Sequence, residues 1–318
     1  RLAHYLGVFA KFRNPHGVTN HQRLKTLFTM FLGKSDPRLQ TFALDCIVTY
    51  RDEGVVTYAD RLRRIVDDKT MRDELVLFSV DFDPESGVIT PEHRLQLLPV
   101  LSRILFAKMT SRVKGQGGSN SLAARRVAVL TLFAGFSVEE LSHLLTLVLN
   151  PFIPLAAQVT ATPIPIPLSP SATTMQNALA ISSLHTCPTA MVDLLPRHSI
   201  AFTYTLSDLL QQLGTKLIDY LPLLLSPVLG LASHHSAKLV RAEAMKCVAA
   251  MVDRFSSEIH PLFHNAILDI VEQGATRLVP DSIQSPTGVL DAALALSAHL
   301  PHLLCTRPAL VRGMVGCI

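Results

Sequence analysis

Apolar residues recur at spacings of three and four along most of this chain, and that periodicity constrains its fold more than any other feature. From Asn20, placed as a helix N-cap, Leu24, Leu27, Phe28, Phe31 and Leu32 form one helical stripe. Residues 33–36 interrupt it, and Pro37 suits the first turn of a second helix presenting Leu39, Phe42, Ala43, Cys46 and Ile47. Two amphipathic helices across so short a turn make one hairpin.

The hairpin repeats. Leu97-Leu98-Pro99-Val100-Leu101, Tyr220-Leu221-Pro222-Leu223-Leu224, Ile259-His260-Pro261-Leu262-Phe263 and Leu300-Pro301-His302-Leu303-Leu304 each set a proline in or beside an apolar run. Pro222 and Pro261 are 39 residues apart, Pro261 and Pro301 are 40 apart, and HEAT repeats have a period of about 40 to 47. The second helices echo one another too. Leu39–Ile47 aligns with Val240–Val248, apolar at the first, fifth, sixth, eighth and ninth positions of both. The fold expected is all-α, a HEAT/armadillo-like helical-repeat solenoid. With Arg1 at its start and an apolar segment at Ile318, it reads as an internal fragment of a longer protein.

Helices are expected near 2–12, 20–32, 37–50, 55–66, 70–80, 91–109, 121–135 and 137–149. Further helices are expected near 173–184, 198–213, 215–231, 236–255, 258–273, 287–299 and 302–316. Two runs, 76–80 and 159–166, are the nearest approach to strand patterning. The organisation read from this map is N-terminal hairpins over 1–149 with a basic loop at 108–126, a Pro-rich flexible insert at 150–174, and C-terminal hairpins over 175–318. Six prolines between Pro151 and Pro170 favour extended polyproline geometry there and prevent helix. Ser169-Pro170 within it fits a proline-directed phosphorylation site.

Only 17% of residues are charged and 48% are hydrophobic, so the helices must bury more than one face, in a repeat stack or in a membrane. The membrane reading fails. The most apolar stretch, 220–232, is shorter than the roughly 20 residues a bilayer needs, and 127–149 is broken by Glu139 and Glu140. Five dispersed cysteines without paired spacing fit reduced, buried thiols.

Constellations for chemistry are wanting. Gly115-Gln116-Gly117-Gly118-Ser119 lacks the Gly-Lys-Ser/Thr ending of a phosphate loop. His260 and His264 have metal-ligand spacing on a helix but no third ligand, and His234-His235 reads as an exposed turn. The pairs Asp52-Glu53, Asp67-Asp68 and Glu139-Glu140 read as solvated helix ends. No catalytic residue, metal site, cofactor or small-molecule substrate is expected, and the chain is read as a non-enzyme.

The basic run is more informative. Between Glu92 and Glu139 there is no acid, while Arg94, Arg103, Lys108, Arg112, Lys114, Arg125 and Arg126 occur. A flexible positive loop from Lys108 to Arg126 suits phosphate contacts that do not read sequence, with Lys108, Arg112, Lys114, Arg125 and Arg126 as the RNA-binding candidates. Aromatic residues for base stacking are not interleaved with them.

Five segments in order, Asp36–Tyr50, Leu62–Lys69, Glu92–Phe106, Ala124–Gly135 and Leu206–Pro222, resemble the DRIM (down-regulated in metastasis) family. These are large HEAT-repeat components of the nucleolar small-subunit processome. The similarity covers most of residues 20–260 and fades over 150–195. It implies a non-catalytic scaffold in ribosome biogenesis, located in the nucleolus. Its implied partners are precursor ribosomal RNA or small nucleolar RNA and other processome proteins, and its role is to support processing toward 18S rRNA. A HEAT module of another class, a transport receptor or phosphatase-type scaffold, is the alternative, and it would bind acidic peptide or protein partners.

Overall fold

The computed structural model describes residues 2–80, 88–111, 118–155, 168, 194–276 and 288–315. Among these residues the regular structure is helical and no strand occurs. The chain divides into two compact units, Arg1–Leu147 and Val148–Ile318.

The first unit holds α1 (Leu2–Phe9), α2 (His21–Leu32), α3 (Pro37–Val48), α4 (Glu53–Val56), α5 (Ala59–Val66) and α6 (Met71–Leu77). It continues with α7 (Pro91–Thr110) and α8 (Gly118–Ala134), and α9 (Leu141–Val148) closes it. The expected α2–α3 hairpin forms, with Asp36 capping α3 by accepting from the Arg38 amide at 2.9 Å and Pro37 in its first turn. Asn20 is not a side-chain cap. It sits in left-handed backbone at φ 61° and makes no capping bond. The single helix expected near 55–66 is two, α4 and α5, with Thr57 and Tyr58 between them. Of the two runs with strand-like patterning, Val76 and Leu77 end α6, and 159–166 lies outside the described residues.

The second unit holds α10 (Pro196–Leu213), a 3-10 turn at Gly214–Tyr220, α11 (Leu221–His234) and α12 (Lys238–Phe255). After a 3-10 turn at Pro261–Phe263 come α13 (His264–Thr276), α14 (Gly288–His299), α15 (Pro301–Leu304) and α16 (Pro308–Val315). The periodic prolines now have a common task. Pro222, Pro261 and Pro301 each stand in the first turn of a helical segment, where the missing N–H costs nothing. Pro99 differs, since it lies inside α7. The expected helix near 173–184 and most of the Pro-rich insert, with Ser169-Pro170, fall outside the described residues.

Helical segments 196–234 together are long and apolar enough to cross a bilayer by length and composition, but 72% of the most apolar window is buried inside the fold. Gly214 interrupts the run with φ +52°, a conformation in which a Cβ is strained.

The aligned second helices, α3 and α12, do the same work residue by residue. Ala43, Leu44, Cys46 and Ile47 are buried, as are Ala244, Met245, Cys247 and Val248. The Cys46 thiol donates to the Leu6 carbonyl of α1 at 3.2 Å, and the Cys247 thiol donates to the Thr203 carbonyl of α10 at 3.4 Å. Burial pushes the first thiol up to about 12 and the second up to about 11. Gln40 donates to Leu32 O, the open end of α2, at 2.7 Å. Its counterpart Arg241 donates to His235 O and Ser236 O at 2.6 and 2.8 Å, in the connector just beyond α11. In both hairpins the second helix thus satisfies carbonyls at the turn that joins it to the first. Neighbouring repeats pack tightly: a Cβ on Gly288 of α14 would lie 2.6 Å from Ala242 O and 2.7 Å from Lys246 N of α12.

Candidate nucleic-acid interface

Long amphipathic helices place a residue by its position on the wheel, and α7 shows what that does to the basic run. Arg94, Leu97, Leu98, Leu101, Leu105 and Lys108 share one stripe of spacings three and four, and every one is buried. Arg94 donates from Nε and Nη2 to the two carboxylate oxygens of Glu140 at 2.6 and 2.7 Å, and from Nη1 to Val80 O at 2.8 Å. Glu140 also accepts from the Ser137 amide at 2.8 Å, while its own amide donates to Ser137 Oγ, a reciprocal cap at the start of α9. Burial pushes the Glu140 carboxyl up. The Arg94 hydrogen bonds, the Ser137 amide and the Arg94 charge outweigh it and hold the group below the usual carboxylate range.

Lys108, at the other end of the stripe, buries its ammonium. Nζ donates to Val66 O at 2.5 Å and to Asp68 Oδ1 at 2.7 Å. Arg125 of α8 is 8% exposed and reaches the same Asp68 oxygen at 3.9 Å. One carboxylate therefore holds the C-terminal end of α7 and the first half of α8; the expected 108–126 loop is helical at 108–110 and 118–126, which leaves 111–117 between the two helices. Lys108 and Arg125 were expected to face RNA. Their side chains instead fill inter-helix contacts, because each lies on the apolar stripe of its helix and a buried cation needs an acceptor beside it. Arg126 is half-buried with contacts of its own, and Arg112 and Lys114 lie outside the described residues.

Arg103 is half-buried on α7, and burial depresses its guanidinium below the ordinary arginine value. It repels a proton from His143 of α9, whose imidazole is lowered chiefly by its own burial, with the Glu140 charge opposing.

Three further sequence expectations change. Asp68 is an ion-pair centre rather than a solvated helix end, and Asp67 accepts from the Lys69 amide at 3.0 Å. His235 is buried, with Nε2 against Leu194 O at 3.1 Å and Nδ1 accepting from the Ala237 amide at 3.0 Å, so it is no exposed turn residue. His260 precedes the 3-10 turn and accepts from the Leu262 amide, so it does not share a helix face with His264. No group of three or more metal-ligating side chains occurs among the described residues.

Similarity to known proteins agrees with the helical reading. The family model described as U3 small nucleolar RNA-associated protein 20, N-terminal, matches residues 1–317. The U3 small nucleolar RNA-associated protein 20 of Schizosaccharomyces pombe is 33% identical over 224 residues, 70% of this chain and 8% of that protein. Its namesake in Saccharomyces cerevisiae is 25% identical over 143 residues, 45% of this chain and 6% of that protein. The chain spans less than a tenth of the length of either relative. With a match over nearly every residue, the chain belongs to the U3 small nucleolar RNA-associated protein 20 family, in its N-terminal part.

Proposed function

We propose that this chain is part of a non-catalytic scaffold of the nucleolar small-subunit processome, the role the DRIM resemblance implies. It supports assembly and precursor 18S rRNA processing through protein and RNA contacts. The observation that carries the reading is the family match over residues 1–317, whose relatives are named for association with U3 small nucleolar RNA. Stacked helical hairpins suit such work, since each repeat touches only its neighbours and offers an extended surface to partners.

In this reading RNA phosphates are reached by Arg112 and Lys114, between α7 and α8, and by Arg126 of α8. Lys108 and Arg125 anchor those helices on Asp68. That division of labour decides how the proposal is tested. Reversing Lys108 or Arg125 would set a new carboxylate against Asp68 and disrupt the first unit, mimicking a loss of RNA contact. The informative variant is Arg112→Glu with Lys114→Glu, expressed as the full-length protein in cells depleted of the endogenous copy. The expected outcome is nucleolar protein of normal abundance, reduced precursor-RNA crosslinking and accumulated 18S precursors. Normal precursor levels after depletion of the protein itself would sink the scaffold reading. Unchanged crosslinking in the variant would sink the loop's part in it.

A further inference from the structure

The corner joining α1 to α2 carries a second basic surface, and unlike the first it is open to solvent. Residues 1–35 contain no Asp or Glu, while Lys11, Arg13, Arg23, Lys25 and Lys34 fall within them. Lys11 and Arg13 lie on the connector and Arg23 in the first turn of α2, all three exposed and without a carboxylate partner among the described residues. Arg51, exposed at φ 58°, follows Tyr50 in the chain but lines a different recess, with Val48, Glu53, Val56 and Thr57. Tyr50 packs edge-on against the His16 ring at 5.4 Å, and its hydroxyl donates to His21 O at 2.8 Å.

Those contacts fix the corner's shape. Pro15–Gly17 forms a 3-10 turn, His16 packs on His21 at 5.2 Å, and the Val18 and His21 amides donate back to Pro15 O and Val18 O. Most acids of the adjoining elements are already paired. Asp52 takes Lys25 at 2.5 Å, and Asp45 takes Arg63 at 2.9 Å. Glu53 is the exposed exception. Asp36 caps the start of α3, next to the far end of α2, which at about 1.5 Å per residue is some ~18 Å away.

We infer that this corner binds the phosphate backbone of RNA, through Lys11, Arg13 and Arg23. The choice of RNA over an acidic protein rests on what accompanies the cations. Asn14, His16, Asn20 and Gln22 are exposed around them, and no exposed large apolar residue lies between Val8 and Leu27. A protein interface puts an apolar or aromatic core at its centre, whereas a nucleic-acid interface is polar and positive throughout. Two of the three cations are arginines, whose planar forks fit phosphate oxygens two at a time. The surface is separate from the 108–126 loop and does not depend on the loop's role.

The test is fluorescence anisotropy with a labelled 20-nucleotide uridine oligomer, read across a salt series, on the full chain. Lys11→Glu, Arg13→Glu and Arg23→Glu are combined, with the corresponding triple Gln variant as a milder second. These exposed side chains make no ion pair or hydrogen bond among the described residues, so circular dichroism and melting should match the parent. Affinity should fall on the order of tenfold or more, and the slope of log affinity against log salt should flatten by about 2, at roughly 0.7 per lost single-strand phosphate contact. The Gln variant should fall between. An unchanged affinity and slope in both variants overturns the inference. So does binding lost only to a poly-glutamate probe, which would mark an acidic protein as the partner. The Arg112→Glu/Lys114→Glu loop variant is titrated beside them. Loss confined to the loop variant upholds the loop and overturns the corner; loss confined to the corner variants does the reverse.

Discussion

Replacing Arg94 by Met should loosen the α7–α9 contact in a way that depends on pH. The Arg94 side chain is 6% exposed and that of Glu140 20%. Methionine keeps most of the aliphatic volume but removes three hydrogen bonds at once, two to Glu140 and one to Val80 O. Leaving the carboxylate without its buried partner costs about 3–5 kcal/mol, and the orphaned Val80 carbonyl costs about 1–3 kcal/mol more at any pH. Only the first of these follows the titration of Glu140. Because the folded-state carboxyl is held below its usual value, the pair's stabilisation is complete above the ordinary glutamate range. It is lost as pH falls through the depressed folded value. Hydrogen exchange read by mass spectrometry on peptides from 91–110 and 137–148, corrected for intrinsic rates, measures the opening. At neutral pH the variant's opening constant should rise at least on the order of a hundredfold, the equivalent of about 3 kcal/mol. In acid, below the ordinary glutamate range, the gap should narrow toward the carbonyl's share as pH falls through the depressed folded value. Peptides from α12 in the second unit serve as the internal control. Equal losses at both pH values would refute the assignment of the stability to the ion pair, and no loss at either would refute the buried contact itself.

Gly288→Val should destabilise the second unit by at least about 1–3 kcal/mol in urea unfolding, because its Cβ meets α12 backbone 2.6 Å away rather than a movable side-chain tip. An unchanged midpoint would show that α14 can shift to accommodate it. In the folded protein at about pH 8, iodoacetamide should alkylate Cys305, which is exposed, and spare Cys46 and Cys247, which are buried and held as thiols. Mapping the labelled peptides before and after denaturation checks this, and rapid native labelling of Cys46 would mean that α3 does not pack on α1 as described.

Most of the helices were legible because their signals are local. Pro37, Pro91, Pro196 and Pro301 stand at helix starts, and apolar spacing filled in the rest. The alignment of 39–47 with 240–248 carried more than an apolar pattern, since Gln40 and Arg241, unlike in chemistry, both bond carbonyls at the turn that precedes their helix. What was not legible depended on partners distant in sequence. Asp68 meets Lys108 across 40 residues and Arg94 meets Glu140 across 46, and nothing local distinguishes such acids from solvated helix ends. His235 likewise reads as a turn residue until Leu194, 41 residues away, is seen beside it.

The two basic stretches show why a count of charges misleads in a helical repeat. Both are free of acids in sequence, yet Arg94 and Lys108 lie on the stripe of α7 that carries Leu97, Leu98, Leu101 and Leu105, and Arg125 lies four residues before buried Val129. Cations so placed are drawn into the seams between helices and must find acceptors there. Arg23 has the opposite address. The residues four and seven further on, Leu27 and Met30, are 40% and 55% exposed, so its face of α2 points to solvent. Lys11 and Arg13 are on no helix at all. An acid-free run therefore marks a surface for RNA only where the wheel, or the lack of a helix, leaves its cations without a seam to fill. By that criterion residues 11–23 qualify, and 94–108 serve the packing of the first unit instead.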